Sequence, residues 1–130
     1  MAKEEKILQF LVQNKGKFNN SQIESLRNKL DNANEADIDK CSYIPLKNPW
    51  VTFTLNFFLW ELGAGYFYLG KYSLAVFVII ANLILTFLDI FLLFPLAIHF
   101  LMALAILFSS FWETRNYNFD KIYVILKGKL

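Results

Sequence analysis

Apolar and polar positions alternate at helical spacing as far as Tyr43, and from Trp50 to Phe111 the apolar positions become nearly continuous. Lys3 to Asn14, with Ile7, Leu8, Phe10, Leu11 and Val12, reads as a short amphipathic helix that Gly16 stops. Asn19-Asn20-Ser21 offers caps, and Ser21 with Glu24 three residues later forms a capping-box pattern ahead of Ile23, Leu26 and Leu30, which predicts a second helix. Asn32 to Asn34 breaks it, and Glu35 to Tyr43 is expected as a third helix, ended by Pro45. Three helices this short make a marginal core by themselves. They are expected to lean on the apolar part of the chain or on another copy, with partner binding as the functional alternative.

Pro49-Trp50 marks the boundary, since proline starts a helix well and tryptophan anchors at a membrane interface. Trp50 to Tyr68 is predicted as one apolar helix, which at ~1.5 Å per residue just suffices for a ~30 Å hydrocarbon layer. Gly70-Lys71 is the expected turn. Tyr72 to Phe111 is twice as long as one crossing requires. Pro95 near its middle favours two helices, Tyr72–Phe94 and Leu96–Trp112, with a turn at Phe94-Pro95; one kinked helix is the other reading. From Glu113 the chain turns polar, and Asp120 to Leu130 has the pattern of a short interfacial helix. The fold class expected is all-α: short helices over residues 1–48, a bundle of two to three transmembrane helices over 49–112, and a polar or amphipathic tail over 113–130.

Charge sharpens this division. Of the 24 acidic and basic residues, 15 precede Trp50, and only Glu61, Lys71 and Asp89 are charged between Val51 and Trp112. A 56% hydrophobic composition with 14 phenylalanines lies above the usual share for a soluble domain. Eight Lys/Arg precede Trp50 and four follow Trp112, so the positive-inside rule places the N-terminus in the cytoplasm. It favours the same side for the C-terminus, which three full crossings forbid. The first apolar segment is then the candidate for a re-entrant or interfacial helix. Residues 1–18 lack the apolar core of a cleavable signal, so the apolar segments are expected to direct their own insertion. A net charge of +2, scattered along the chain, gives no sign of a nucleic-acid partner. Cys41 is the only cysteine; it excludes an intrachain disulfide and a thiolate cluster, and fits a reducing compartment.

The glycine-aromatic stretch from Leu62 to Lys71 holds Gly63, Gly65, Tyr66, Phe67, Tyr68 and Gly70. Glycine there allows a turn or a close helix approach, and the tyrosines suit a membrane–water interface. Gly63, Phe67, Tyr68 and Gly70 resemble the pattern Gly-x-(Asp/His)-Arg-Phe-Tyr-x-Gly of the TM-two (two-transmembrane) domain family. Gly65 and Tyr66 replace that motif's charged pair. Asn48-Pro49, Leu88-Asp89-Ile90-Phe91 and Thr114-Arg115-Asn116-Tyr117-Asn118 are similar to segments of bacterial members with a helical N-terminal extension. The resemblance implies an integral membrane protein, in a bacterial inner membrane, with no assigned activity. The distance from Asp89 to Thr114 is longer than the family's usual.

Glu61, Asp89 and His99 are the ionisable residues inside the apolar segments, where such groups face a bundle interior, a partner or water. In a hairpin turning at Phe94-Pro95, Asp89 and His99 would lie at similar depth and pair. The pair reads as structural, as ion- or proton-linked, or as a wet interfacial contact. Glu61 is expected to bond Asn56, Asn82 or a glycine backbone, with a transport role as the alternative. Asn82 and Thr86 could bridge helices, and Ala105 with Ser109 forms a small-x-x-x-small spacing. One His and one Cys, separated by 57 residues and a solvent boundary, do not make a catalytic dyad, and the phosphate-cradling loop pattern is absent from the sequence. The expectation is a non-enzymatic membrane protein without cofactor or metal. Its partners would be the lipid bilayer and either another protein or further copies of itself, through which it acts in interaction or assembly. The alternative is a small oligomeric transporter or channel-like protein using Glu61, Asp89 and His99.

Overall fold

A computed structural model describes residues 2–91 and 95–127. It is all-α, 86% helical, with no strand among the described residues. Among the described residues seven α-helices follow in order: α1 Lys3–Gln13, α2 Asn20–Asp31, α3 Glu35–Tyr43, α4 Pro49–Leu59, α5 Ala64–Tyr68, α6 Tyr72–Phe91 and α7 Pro95–Leu126. The chain divides into a terminal unit, Met1–Asn48 with Arg115–Leu130, and a central unit, Pro49–Thr114.

In the terminal unit the short helices do not make a core alone. Ile7, Phe10, Phe18, Leu26, Leu30, Ile38 and Cys41 pack into one cluster with Ile122 and Leu126 of α7. The last helix therefore does not end at Trp112, as the polar composition predicts, but runs on to Leu126. No glycine or proline interrupts residues 113–126, and burying Ile122 and Leu126 stabilises the extension by roughly 1.5–3 kcal/mol for each side chain. Of the three caps offered ahead of α2 the first is used, and the capping box forms with Gln22 rather than between Ser21 and Glu24. Asn19, not Ser21, accepts from the Gln22 N–H at 2.8 Å, while Gln22 Oε1 accepts from the Asn19 N–H at 3.0 Å. Asn34 caps α3 by accepting from the Asp37 N–H at 2.8 Å, and α3 keeps its predicted bounds.

In the central unit the expected single helix from Trp50 to Tyr68 is broken. α4 ends at Leu59, a 3-10 turn covers Trp60–Leu62, and Gly63 at φ +60° opens α5. Eleven residues of α4 span only ~16 Å, short of a ~30 Å hydrocarbon layer. α6 and α7 are long and apolar enough to cross a membrane, and only 17% and 11% of their most apolar stretches is buried. The apolar run from Tyr72 thus holds two helices, with Pro95 opening the second; Phe94, the other residue of the predicted turn, lies outside the described residues.

Candidate functional site

The turn between α4 and α5 is built by glycines with different duties. Gly63 adopts φ +60°, and a Cβ there would lie 2.9 Å from the Ala75 Cα on α6. Left-handed backbone and close contact both demand glycine at this position. Gly65 has ordinary backbone, but a Cβ on it would fall 2.5 Å from the Asn56 amide, which accepts the Gly65 N–H at 2.9 Å. At the other end of α5 the Gly70 N–H donates to Phe67 and the Lys71 N–H to Tyr66. This is a Schellman cap, with Gly70 at φ +72° in open space.

Beneath the turn, α4 and α7 run antiparallel and match polar residues four apart. Thr52 faces Thr114 with hydroxyls 2.6 Å apart, and Asn56 Nδ2 donates to Ser110 Oγ at 2.8 Å. All four side chains are fully buried. Thr114 also contacts the Ser110 carbonyl at 2.7 Å; each hydroxyl has one proton, so Thr52 supplies the proton of the shared contact. The Tyr66 hydroxyl meets Ser109 Oγ, which itself donates to the Ile106 carbonyl at 2.9 Å. Polar side chains that satisfy one another in this way hold helices together where water is absent.

Two contacts between ionisable side chains flank the apolar stretches of α6 and α7. Lys71 pairs with Glu113, and His99 Nδ1 stands 2.6 Å from Asp89 Oδ2, with Trp60 edge-on to the His99 ring at 5.9 Å. Both side chains of the second pair are mostly buried, at 15% and 19% exposure. Asp89 Oδ1 is buried with no hydrogen-bond partner among the described residues. Between the two pairs neither helix carries a charged residue, over ~27 Å along α6 and ~21 Å along α7 at the helical rise.

The other expected positions separate from these. The Glu61 side chain is exposed on the 3-10 turn; its backbone carbonyl, not its carboxylate, accepts from Asn82 Nδ2 at 3.3 Å. Asn82 does link two elements, whereas Thr86 is exposed. Phe67 is exposed and lies against Tyr72, 6.0 Å between ring centres, and Tyr68 is half-buried. The Thr52–Thr114 and Asn56–Ser110 matches are absent from the sequence reading. Their signal is the shared four-residue spacing of polar groups in two otherwise apolar segments. No group of three or more His, Cys, Asp or Glu placed to hold a metal ion occurs among the described residues. No protein-family model, curated protein or solved structure matches the chain.

Proposed function

We propose that the chain is a small integral membrane protein, of the kind its TM-two-like motif implies, that works by interaction or assembly within the bilayer and has no catalytic role. The observation that carries this reading is the make-up of the terminal unit. Helices α1 to α3 share one core with the end of α7, so both ends of the central unit return to the same side of a membrane. The number of crossings is then even, and α6 and α7 are the two helices long enough to make them. The exposed apolar side chains of α6 and α7 become the lipid-facing surface. Excess Lys/Arg on the two terminal segments supports a cytoplasmic side for them, and the TM-two-like motif supports a bacterial inner membrane. α4 and α5 form a re-entrant hairpin. Its tip reaches the level of Asn82, near the middle of α6, where Asn82 bonds the Glu61 carbonyl.

An exposed carboxylate at that depth is costly in lipid and calls for a partner helix, a second copy or water. Cross-linking in native membranes tests the assembly role. Glu61→Gln should abolish or shorten the cross-linked species of wild type; an identical ladder in the variant removes Glu61 from assembly.

The second reading, an ion- or proton-linked site at Asp89–His99 with Glu61, draws on the buried Asp89 Oδ1 that lacks a hydrogen-bond partner among the described residues. Proton flux in proteoliposomes separates the two. Under the transport reading, Glu61→Gln and Asp89→Asn each abolish a flux present in wild type; under assembly there is no flux to lose.

A further inference from the structure

Helices α1 and α2 enclose an open groove of about 440 Å³ in the terminal unit. Leu8 and Leu11 give it an apolar floor, with Glu4 and Glu5 on the α1 side and Arg27 and Asp31 on the α2 side. Leu8 is 62% exposed, and Val12, one helical turn further along the same face, is 65% exposed. Neither belongs to the core that Ile7 and Phe10 of the same helix enter. Glu4, Glu5, Arg27 and Asp31 are all exposed, and none of their charged groups joins an ion pair among the described residues. Lys3 brings a further cation to the Asp31 end, where its ammonium donates to the Asp31 carbonyl at 2.7 Å. The groove therefore carries unpaired charge of both signs around an uncovered apolar stripe.

We propose that this groove docks a second copy of the chain about a two-fold axis, with the two Leu8 side chains at the axis and Arg27 of each copy against the partner's Glu4 and Glu5. The proposal rests on the assembly reading above and names its partner. A uniformly basic segment would meet Arg27 as well as the acids, and a uniformly acidic one would meet Glu4 and Glu5. A two-fold copy presents the same surface reversed, so that α2 of one chain faces α1 of the other and each charge finds its opposite twice. Covering Leu8 and Val12 supplies the attraction. The exposed charge pairs add little affinity but select the partner and fix its register.

Cross-linking of the full chain in its native membrane tests this, with a short, permeant bismaleimide as the probe. In a Cys41→Ser background, Leu8→Cys should give a two-chain product. Lys40→Cys, on α3 outside the groove, should give far less. Adding Arg27→Glu, or Glu4→Lys with Glu5→Lys, sets like charge against like twice per dimer and should lower the Leu8→Cys product to about a tenth or less. All three reversals in one chain put opposite charges across the interface again and should restore the product. Neither a misfolded chain nor a foreign partner would recover in this way. An unchanged yield with Arg27→Glu, no recovery in the triple variant, or equal yields at Leu8→Cys and Lys40→Cys overturns the interface. A product whose mass is not that of two chains gives the groove to a foreign partner and overturns the second copy. The Glu61→Gln cross-linking decides the assembly reading separately. If that ladder responds to Glu61→Gln while the Leu8→Cys product ignores the charge reversals, assembly stands and only this interface falls.

Discussion

Gly63 sits against Ala75 so closely that a Cβ on the glycine would come within 2.9 Å of the Ala75 Cα and 3.1 Å of its carbonyl oxygen. The neighbour is helical backbone and cannot swing aside. Gly70 shares the left-handed conformation, at φ +72°, but has open space around it. Gly70→Ala should therefore cost only the backbone term, about 1–2 kcal/mol. Gly63→Ala carries that term and overpacking as well, a further ~1–3 kcal/mol. Thermal unfolding in detergent should rank Gly63→Ala well below Gly70→Ala. Equal melting temperatures would mean that the Ala75 contact is not tight in solution.

Asn56 joins the α4–α5 turn to α7, because its Oδ1 receives the Gly65 N–H and its Nδ2 donates to Ser110. Asn56→Ala leaves a buried N–H and a buried hydroxyl each without this partner, which should cost roughly 1–3 kcal/mol. A double-mutant cycle with Ser110→Ala isolates the shared bond, and its coupling should be near the ~0.6 kcal/mol average for interhelical hydrogen bonds in membranes. Strictly additive losses would show that the two residues do not interact.

The helical class and the bounds of α3 were legible in the sequence because they rest on local signals: apolar spacing, Asn breaks and a following proline. The Asp89–His99 contact was legible too, since a proline in a long apolar run implies a hairpin that returns residues on either side to one level. Three features were not. Trp50 to Tyr68 is mostly apolar, and its glycines allow a turn without fixing where the helix breaks; the break at Gly63 goes with a long-range contact with Ala75. The polar turn of composition at Glu113 masks a helix that continues because Ile122 and Leu126 complete a core supplied by the other end of the chain. Asn19 outcompetes Ser21 as the cap because Gln22 reciprocates its bond. Glu61 shows the remaining gap: its position in an apolar segment was evident, but only the turn geometry reveals that its carbonyl rather than its carboxylate is engaged.

Cys41 is 1% exposed in the terminal core, and burial, reinforced by nearby Asp37, pushes its thiol up to about 11. The unfolded thiol ionises near its ordinary value of 9.0. Between these values the folded state holds a proton that the unfolded state has released, so stability should fall as pH rises from about 9 through 11. Below that window Cys41 should contribute no pH dependence. Denaturation of wild type and Cys41→Ala at pH 8, 9.5 and 10.5 cancels the titration of other groups. The wild-type advantage should shrink steadily with pH; a constant difference would mean that the thiol is not held protonated by the fold.

The two ends of the central unit are tied to one terminal core, and this makes topology the most discriminating measurement. Under the proposed two-crossing reading, Tyr72 at the start of α6 and Lys127 just after α7 are expected on the cytoplasmic side, and Pro95 at the start of α7 on the other. Single cysteines at Tyr72, Pro95 and Lys127, in a Cys41→Ser background, report this directly. Tyr72 and Lys127 are exposed, so a cysteine at either position is open to reagent from its own side, and neither disturbs the Lys71–Glu113 pair. An impermeant maleimide added to intact cells should label the Pro95 cysteine alone, and permeabilised cells should add the other two. Labelling at Tyr72 and Lys127 but not at Pro95 would instead mean three crossings, with α4 and α5 spanning as one segment. That outcome would put Ile7 and Leu26 on the opposite side of a bilayer from Ile122 and Leu126, with which they share one core. It would overturn the two-crossing arrangement and the terminal core together.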